Sequence, residues 1–167
     1  MELRIKANPN PEKFAEVSAA IQAEDGYCCC KLEHIPENKC VCREFYNQDT
    51  PGFCSCGKYY KTPILPIITL CGSTRFKDEF LQKQKELTLK GYIVLSVGLF
   101  GHSGDEEVWD KNNKQLLDDL HKAKIEMSSA IYVINKNGYI GESTRSEIEW
   151  AQQLGKKIYY LEEKKDR

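Results

Sequence analysis

Six cysteines of this chain form three Cys-x-Cys pairs: Cys28/Cys30, Cys40/Cys42 and Cys54/Cys56. Cys29 fills the middle of the first pair, so seven of the eight cysteines lie within 29 residues. Thiols this dense can build a disulfide scaffold, a structural zinc site, or an iron–sulfur cluster with redox thiols beside it. Structural zinc favours pairs separated by roughly two to four residues. Here one residue separates each pair, and the thiols outnumber the ligands of one tetrahedral ion. A four-iron cluster takes four thiolates. Two of the six paired thiols would then remain beside it as a redox pair.

A second chemistry is written further along. Leu70-Cys71-Gly72-Ser73-Thr74-Arg75-Phe76 and the segment from Gly138 to Ala151 both read as a strand end passing into a helix. Free N–H groups and the positive dipole end suit a helix start to phosphate. Gly72 permits close backbone approach, and Ser73, Thr74 and Arg75 add donors. Gly141, Ser143 and Thr144 stand at the second such junction. The plainer alternative is capping: Thr144-x-x-Glu147 has the form of a capping box, which accounts for Glu147 without catalysis. His102, in a glycine-rich loop, is either a proton donor or a solvated turn residue. His121, beside Asp118 on a helix, reads as a surface residue. Trp109, Tyr132 and Trp150 read as packing residues, and Cys71 as a small hydrophobe of a buried strand.

These residues need a scaffold. The chain has 167 residues, 41% of them hydrophobic, and a formal net charge of −1. That composition suits a globular fold and argues against a nucleic-acid polymer or a membrane as partner. No apolar run approaches the roughly eighteen residues of a membrane span. Met1 to Lys6 lacks the build of a signal peptide, so a cytoplasmic, reducing compartment is expected, where clustered thiols read as metal ligands or redox centres.

Asn10-Pro11 opens a helix with an apolar stripe at Phe14, Val17 and Ile21, and Gly26 ends it. From Tyr27 to Gly57 no period holds. A segment this small and polar needs a staple, and a metal centre supplies one. Lys61 to Pro66 reads as an extended linker. From Ile67 onward, strand and helix alternate: strands at 67–71, 92–97, 131–134 and 157–161, helices at 76–90, 108–127 and 143–154. The loop 98–105 lies between. Alternation of this kind predicts an α/β fold, a small doubly wound, flavodoxin-like parallel sheet with ligands at the carboxyl ends of its strands. The domains are expected at 1–61 and 62–167.

Two resemblances sharpen the expectations. Residues 8–60 resemble the catalytic chain of ferredoxin–thioredoxin reductase, which carries three Cys-x-Cys motifs in series. That resemblance implies a 4Fe-4S cluster on Cys28, Cys40, Cys42 and Cys54, an active disulfide between Cys30 and Cys56, and a ferredoxin-type electron donor as partner. Ser55 stands where that family has a histidine, and Cys29 replaces a proline. Residues 66–161 resemble the nucleoside 2-deoxyribosyltransferase superfamily, which includes deoxynucleoside 5′-monophosphate N-glycosidases. Cys71-Gly72-Ser73-Thr74-Arg75 is similar to their phosphate and sugar loop. Glu147-Ile148-Glu149-Trp150-Ala151 is similar to the segment bearing their nucleophile, which makes Glu147 that residue. The Asp common before the third strand is replaced here by Ser128-Ser129-Ala130, leaving Glu142 and Asp105 as substitute acids. The joint expectation is cleavage or transfer of an N-glycosidic bond of a small-molecule nucleoside or nucleotide, in a homo-oligomer. Alternatives are a disulfide reductase and a non-catalytic nucleotide or redox sensor.

Overall fold

The computed structural model of the protein describes residues 2–105 and 110–163. The chain divides into two units, Met1–Ile64 and Leu65–Arg167.

In the first unit, β1 (Leu3–Ala7) leads to α1 (Pro11–Ala23). Asn10 caps that helix by accepting from the Lys13 amide at 3.0 Å, and Pro11 takes the first position, where no helical bond is lost. Val17 and Ile21 are its buried residues. The chain leaves through a turn at Gly26, whose φ is +85°. A short helix α2 (Arg43–Asn47) follows, then β2 (Gly52–Phe53) and β3 (Tyr59–Pro63). The three strands form an antiparallel sheet in the order β1-β3-β2, with Leu3 opposite Pro63 and Ala7 opposite Tyr59. The supposed linker is therefore strand up to Pro63. Its prolines mislead because Pro63 sits at the strand end, where a missing donor costs little. Lys61 is buried and donates from Nζ to the carbonyls of Tyr46 (2.7 Å) and Gln48 (2.5 Å), which ties α2 to the sheet.

The second unit follows the expected alternation. Its strands are β4 (Ile67–Gly72), β5 (Ile93–Leu95), β6 (Ala130–Ile134) and β7 (Lys157–Tyr160). All three pairings are parallel, in the order β5-β4-β6-β7. Its helices are α3 (Lys77–Leu89), α4 (Lys111–Met127) and α5 (Glu142–Gln153). Residues 106–109, and with them the expected start of the middle helix and Trp109, lie outside the described residues.

Period-2 alternation sorts the sheet into two cores. Ile68, Leu70, Ala130 and Ile134 face α3, against Phe80 and Leu87. Cys71, Ile131 and Val133 face the other side, against Ile125 of α4 and Ile148 and Ala151 of α5. Helices thus cover both faces, as a parallel sheet requires. Tyr132 and Trp150 pack against these cores, as expected. Among the described side chains of α4 the buried ones are His121 and Ile125. Leu116, Leu120, Ala123 and Met127 are exposed and share one stripe.

Candidate functional site

From β4 the chain runs through α3 on one face to β5, then returns through α4 on the other face to β6, on the far side of β4. The carboxyl end of β4 is therefore the switch point where such sheets bind ligands. A cavity of about 360 Å³ opens there. Its lining includes Gly72, Ser73, Thr74 and Arg75 after β4, Gly98, Leu99 and His102 after β5, Asp118 and His121 of α4, and Tyr139, Gly141 to Thr144 and Glu147 around α5. All the expected substrate-binding residues of the second unit, and Glu147, thus border one space.

Gly72 serves the packing of its own sheet. Its φ is +152°, and a Cβ there would lie 2.9 Å from the Ile134 carbonyl oxygen and 3.0 Å from the Ile134 Cβ. The close approach it permits is to β6 of its own sheet. Beyond it the loop is cross-braced. Arg75 Nε donates to the Ser73 hydroxyl at 3.1 Å, and its Nη2 to the Tyr139 hydroxyl at 3.3 Å. The guanidinium stacks 4.3 Å from the Tyr139 ring centre. Thr74 Oγ1 and His102 Nδ1 are 2.7 Å apart, joining the loops after β4 and β5. Asp105 turns inward on its own loop and accepts from the Phe100 amide at 2.5 Å, which leaves Glu142 as the carboxylate substitute that borders the cavity.

The capping-box reading of Glu147 does not hold. α5 starts at Glu142 with Gly141 as its cap, so Thr144 is already inside the helix and Glu147 lies a turn further. The Glu147 side chain is only 14% exposed. Its Oε1 is 3.7 Å from His121 Nε2. Its Oε2 is buried without a hydrogen-bond partner among the described residues. Burial raises the Glu147 carboxyl to about 8 and lowers the His121 imidazole to about 4. An ion pair would shift both the opposite way. Desolvation wins over mutual attraction, and near neutral pH the contact joins an imidazole to a carboxylic acid.

His121 lies in the interior, contrary to the surface position expected for it. It is 6% exposed, and its Nε2 lies 3.6 Å from the Cys71 sulfur. Helical phase was the available signal: His121 precedes the buried Ile125 by four residues, on the same face.

In the first unit the thiols are the core. Cys28, Cys42 and Cys54 are buried with Phe45, and Cys56 and Tyr59 pack against them. A cavity of about 10 Å³ lies between Cys28, Cys40, Cys42, Cys54 and Cys56, closed by Phe45 and Tyr59. All four expected cluster ligands border it. Cys28 and Cys30 sulfurs are 3.1 Å apart, and those of Cys54 and Cys56 are 3.5 Å apart. The sulfurs of Cys28, Cys30 and Cys56 all lie within 4.8 Å of one another. The expected redox partners, Cys30 and Cys56, are thus neighbours. The Tyr59 amide donates to the Cys54 sulfur at 3.2 Å. Hydrogen bonds to sulfur are one lever that tunes thiolate-held clusters. Burial raises the thiols of Cys28 and Cys56 to about 12, and moves Cys30 and Cys40 the same way. The donor set suits a thiolate metal centre.

No protein-family model matches this chain, and no curated protein matches it.

Proposed function

We propose that the second unit cleaves or transfers the N-glycosidic bond of a deoxynucleoside or its 5′-monophosphate, with Glu147 as the nucleophile. The observation that carries this reading is the Glu147 carboxyl. It is buried, it borders the cavity at the strand ends, and one of its oxygens has no partner among the described residues. A buried carboxyl left half satisfied costs stability, and such groups concentrate at reactive sites.

In the reaction, the Glu147 carboxylate attacks the anomeric carbon and forms a glycosyl ester. The C–N bond breaks, and its electron pair passes to the leaving base. The base takes up a proton from Glu142, His102 or water. Water, or a second base in transfer, then opens the ester and returns the carboxylate. Ser73, the amides beyond Gly72, and Arg75 hold the sugar or phosphate. Incubation with a panel of deoxynucleosides and their monophosphates, with chromatography for free base, tests the reading. Release that is lost in folded Glu147→Gln supports it. Release that persists removes it.

For the first unit the proposal is a thiolate metal centre held by Cys28, Cys40, Cys42 and Cys54, a 4Fe-4S cluster in the resemblance it follows. Such a cluster supplies one-electron chemistry when bound. The disulfide-reductase reading is favoured by one observation, the nearness of the Cys30 and Cys56 sulfurs. It is disfavoured by Ser55, which cannot shuttle protons near neutral pH as a histidine does.

A further inference from the structure

We propose that Cys71, His121 and Glu147 form a binding site for a single Zn²⁺ ion, open on its fourth side to the cavity. Three elements supply the ligands: β4, α4 and α5. The three ligand atoms all lie within 4.8 Å of one another. Cys71 Sγ to His121 Nε2 is 3.6 Å, and His121 Nε2 to Glu147 Oε1 is 3.7 Å. Tetrahedral zinc, with bonds of about 2.3 Å to sulfur and about 2.0–2.2 Å to nitrogen or oxygen, sets sulfur–nitrogen edges at about 3.6 Å and nitrogen–oxygen edges at about 3.4 Å. The observed contacts match those edges to within a few tenths of an ångström. As a hydrogen bond, the histidine–carboxyl contact is too long.

Charge balance points the same way. Zn²⁺ displaces one proton from the Cys71 thiol and one from the Glu147 carboxyl, while the imidazole binds as the neutral base. Thiolate, carboxylate and dication sum to zero, which suits a buried place that disfavours every isolated charge. Cys71 is fully buried behind the site, whereas His121 and Glu147 border the cavity, which is the route in. A mixed thiolate, imidazole and carboxylate set with one open position is the form of reactive zinc sites, in contrast to the closed four-ligand form of structural ones. The site does not depend on the glycosidase reading. Its consequence does: a carboxylate bound to zinc cannot attack a sugar, so the ion would switch base release off.

Cadmium is the probe that separates this site from the N-terminal thiols. Full-length protein is saturated with Cd²⁺, freed of excess, and examined by metal analysis and cadmium NMR. The wild type should show a resonance of a one-thiolate site, upfield of all-thiolate signals. Cys71→Ala and His121→Ala should each lose that resonance and about one ion per chain, with unchanged circular dichroism. Cys40→Ser should keep it. Equal ion counts in wild type and both variants, with no such resonance, would overturn the proposal. Base release is measured separately, with and without stoichiometric Zn²⁺. Its absence from metal-free protein would count against the glycosidase reading, and the ion count would still decide the site.

Discussion

His121 Nε2 lies 3.7 Å from Glu147 Oε1, and neither group is charged there at neutral pH. Burial holds the imidazole below its ordinary value and the carboxyl above it, so each stays neutral over a wide range of pH. The pH behaviour of the second unit follows from this pair, with Cys71, Asp118 and Lys122 as the other titratable groups around Glu147.

Activity should rise with pH. The nucleophile is the carboxylate, and the carboxyl titrates at about 8. The logarithm of kcat/KM should therefore climb by about one per pH unit up to about pH 8 and then level. His121, at about 4, should add no inflection near 6.5. Rate profiles from pH 5 to 9 check both statements. Glu147→Gln should lower the rate by about a thousandfold or more at every pH while remaining folded.

Stability should move the opposite way above pH 6.5. Glu147 holds its proton more tightly folded, at about 8, than at its ordinary 4.5. Its contribution is complete below 4.5 and is lost as pH rises through 8. His121 is depressed from 6.5 to about 4, so its contribution is present above 6.5 and is lost as pH falls toward 4. The two oppose each other between 4.5 and 6.5, and only Glu147 acts from 6.5 to 8. Urea unfolding should show a decline over that upper window of at most about 1.4 kcal/mol per pH unit. Glu147→Gln should flatten it.

Ser73→Ala should weaken nucleotide binding by about 1.5–3 kcal/mol, the worth of one hydrogen bond to a charged group. The same change frees Arg75 Nε from its 3.1 Å contact. Arg75→Ala should cost at least as much for a monophosphate and less for the nucleoside. Calorimetric titration of both ligand types with both variants checks this. Equal losses for the two ligands would remove phosphate from Arg75.

Gly72→Ala should destabilise the fold by about 1–3 kcal/mol through overpacking against Ile134. Denaturation of the metal-free protein measures it. A neutral effect would mean that β6 shifts freely at its carboxyl end.

Anaerobically purified protein should carry about four irons per chain if the N-terminal thiols hold a 4Fe-4S cluster. Cys40→Ser should lose them. Cys30→Ser should keep the iron and abolish any disulfide with Cys56, read by thiol counting before and after reduction. One zinc and no iron would favour a single-ion site among the same thiols.

Local chemistry made much of this protein readable in one dimension. Apolar runs of four to six residues, separated by helical stretches, implied the parallel strands β4 to β7 and the layers that cover them, because a strand buried on both faces has to read that way. Asn10-Pro11 marked a helix start because capping is decided within one turn. The loop after β4 was legible as lining of the strand-end cavity because such cavities follow from topology. The antiparallel sheet of the first unit was only half legible: Leu3-Arg4-Ile5-Lys6-Ala7 alternates apolar and polar residues as a strand does, but its partner β3, some fifty residues away, carries no alternation. The environment of Glu147 was not legible either. Thr144-x-x-Glu147 has the spacing of a cap, and only the observed start of α5 at Glu142 moves Glu147 into the second turn and toward α4. An apolar run does not say which of its residues faces which layer. Pairing with β6 and the packing of α4 and α5 turn Cys71 toward His121 and Glu147. Residues at positions 71, 121 and 147 meet because a sheet and two helices bring them together, a relation between elements that no local spacing encodes.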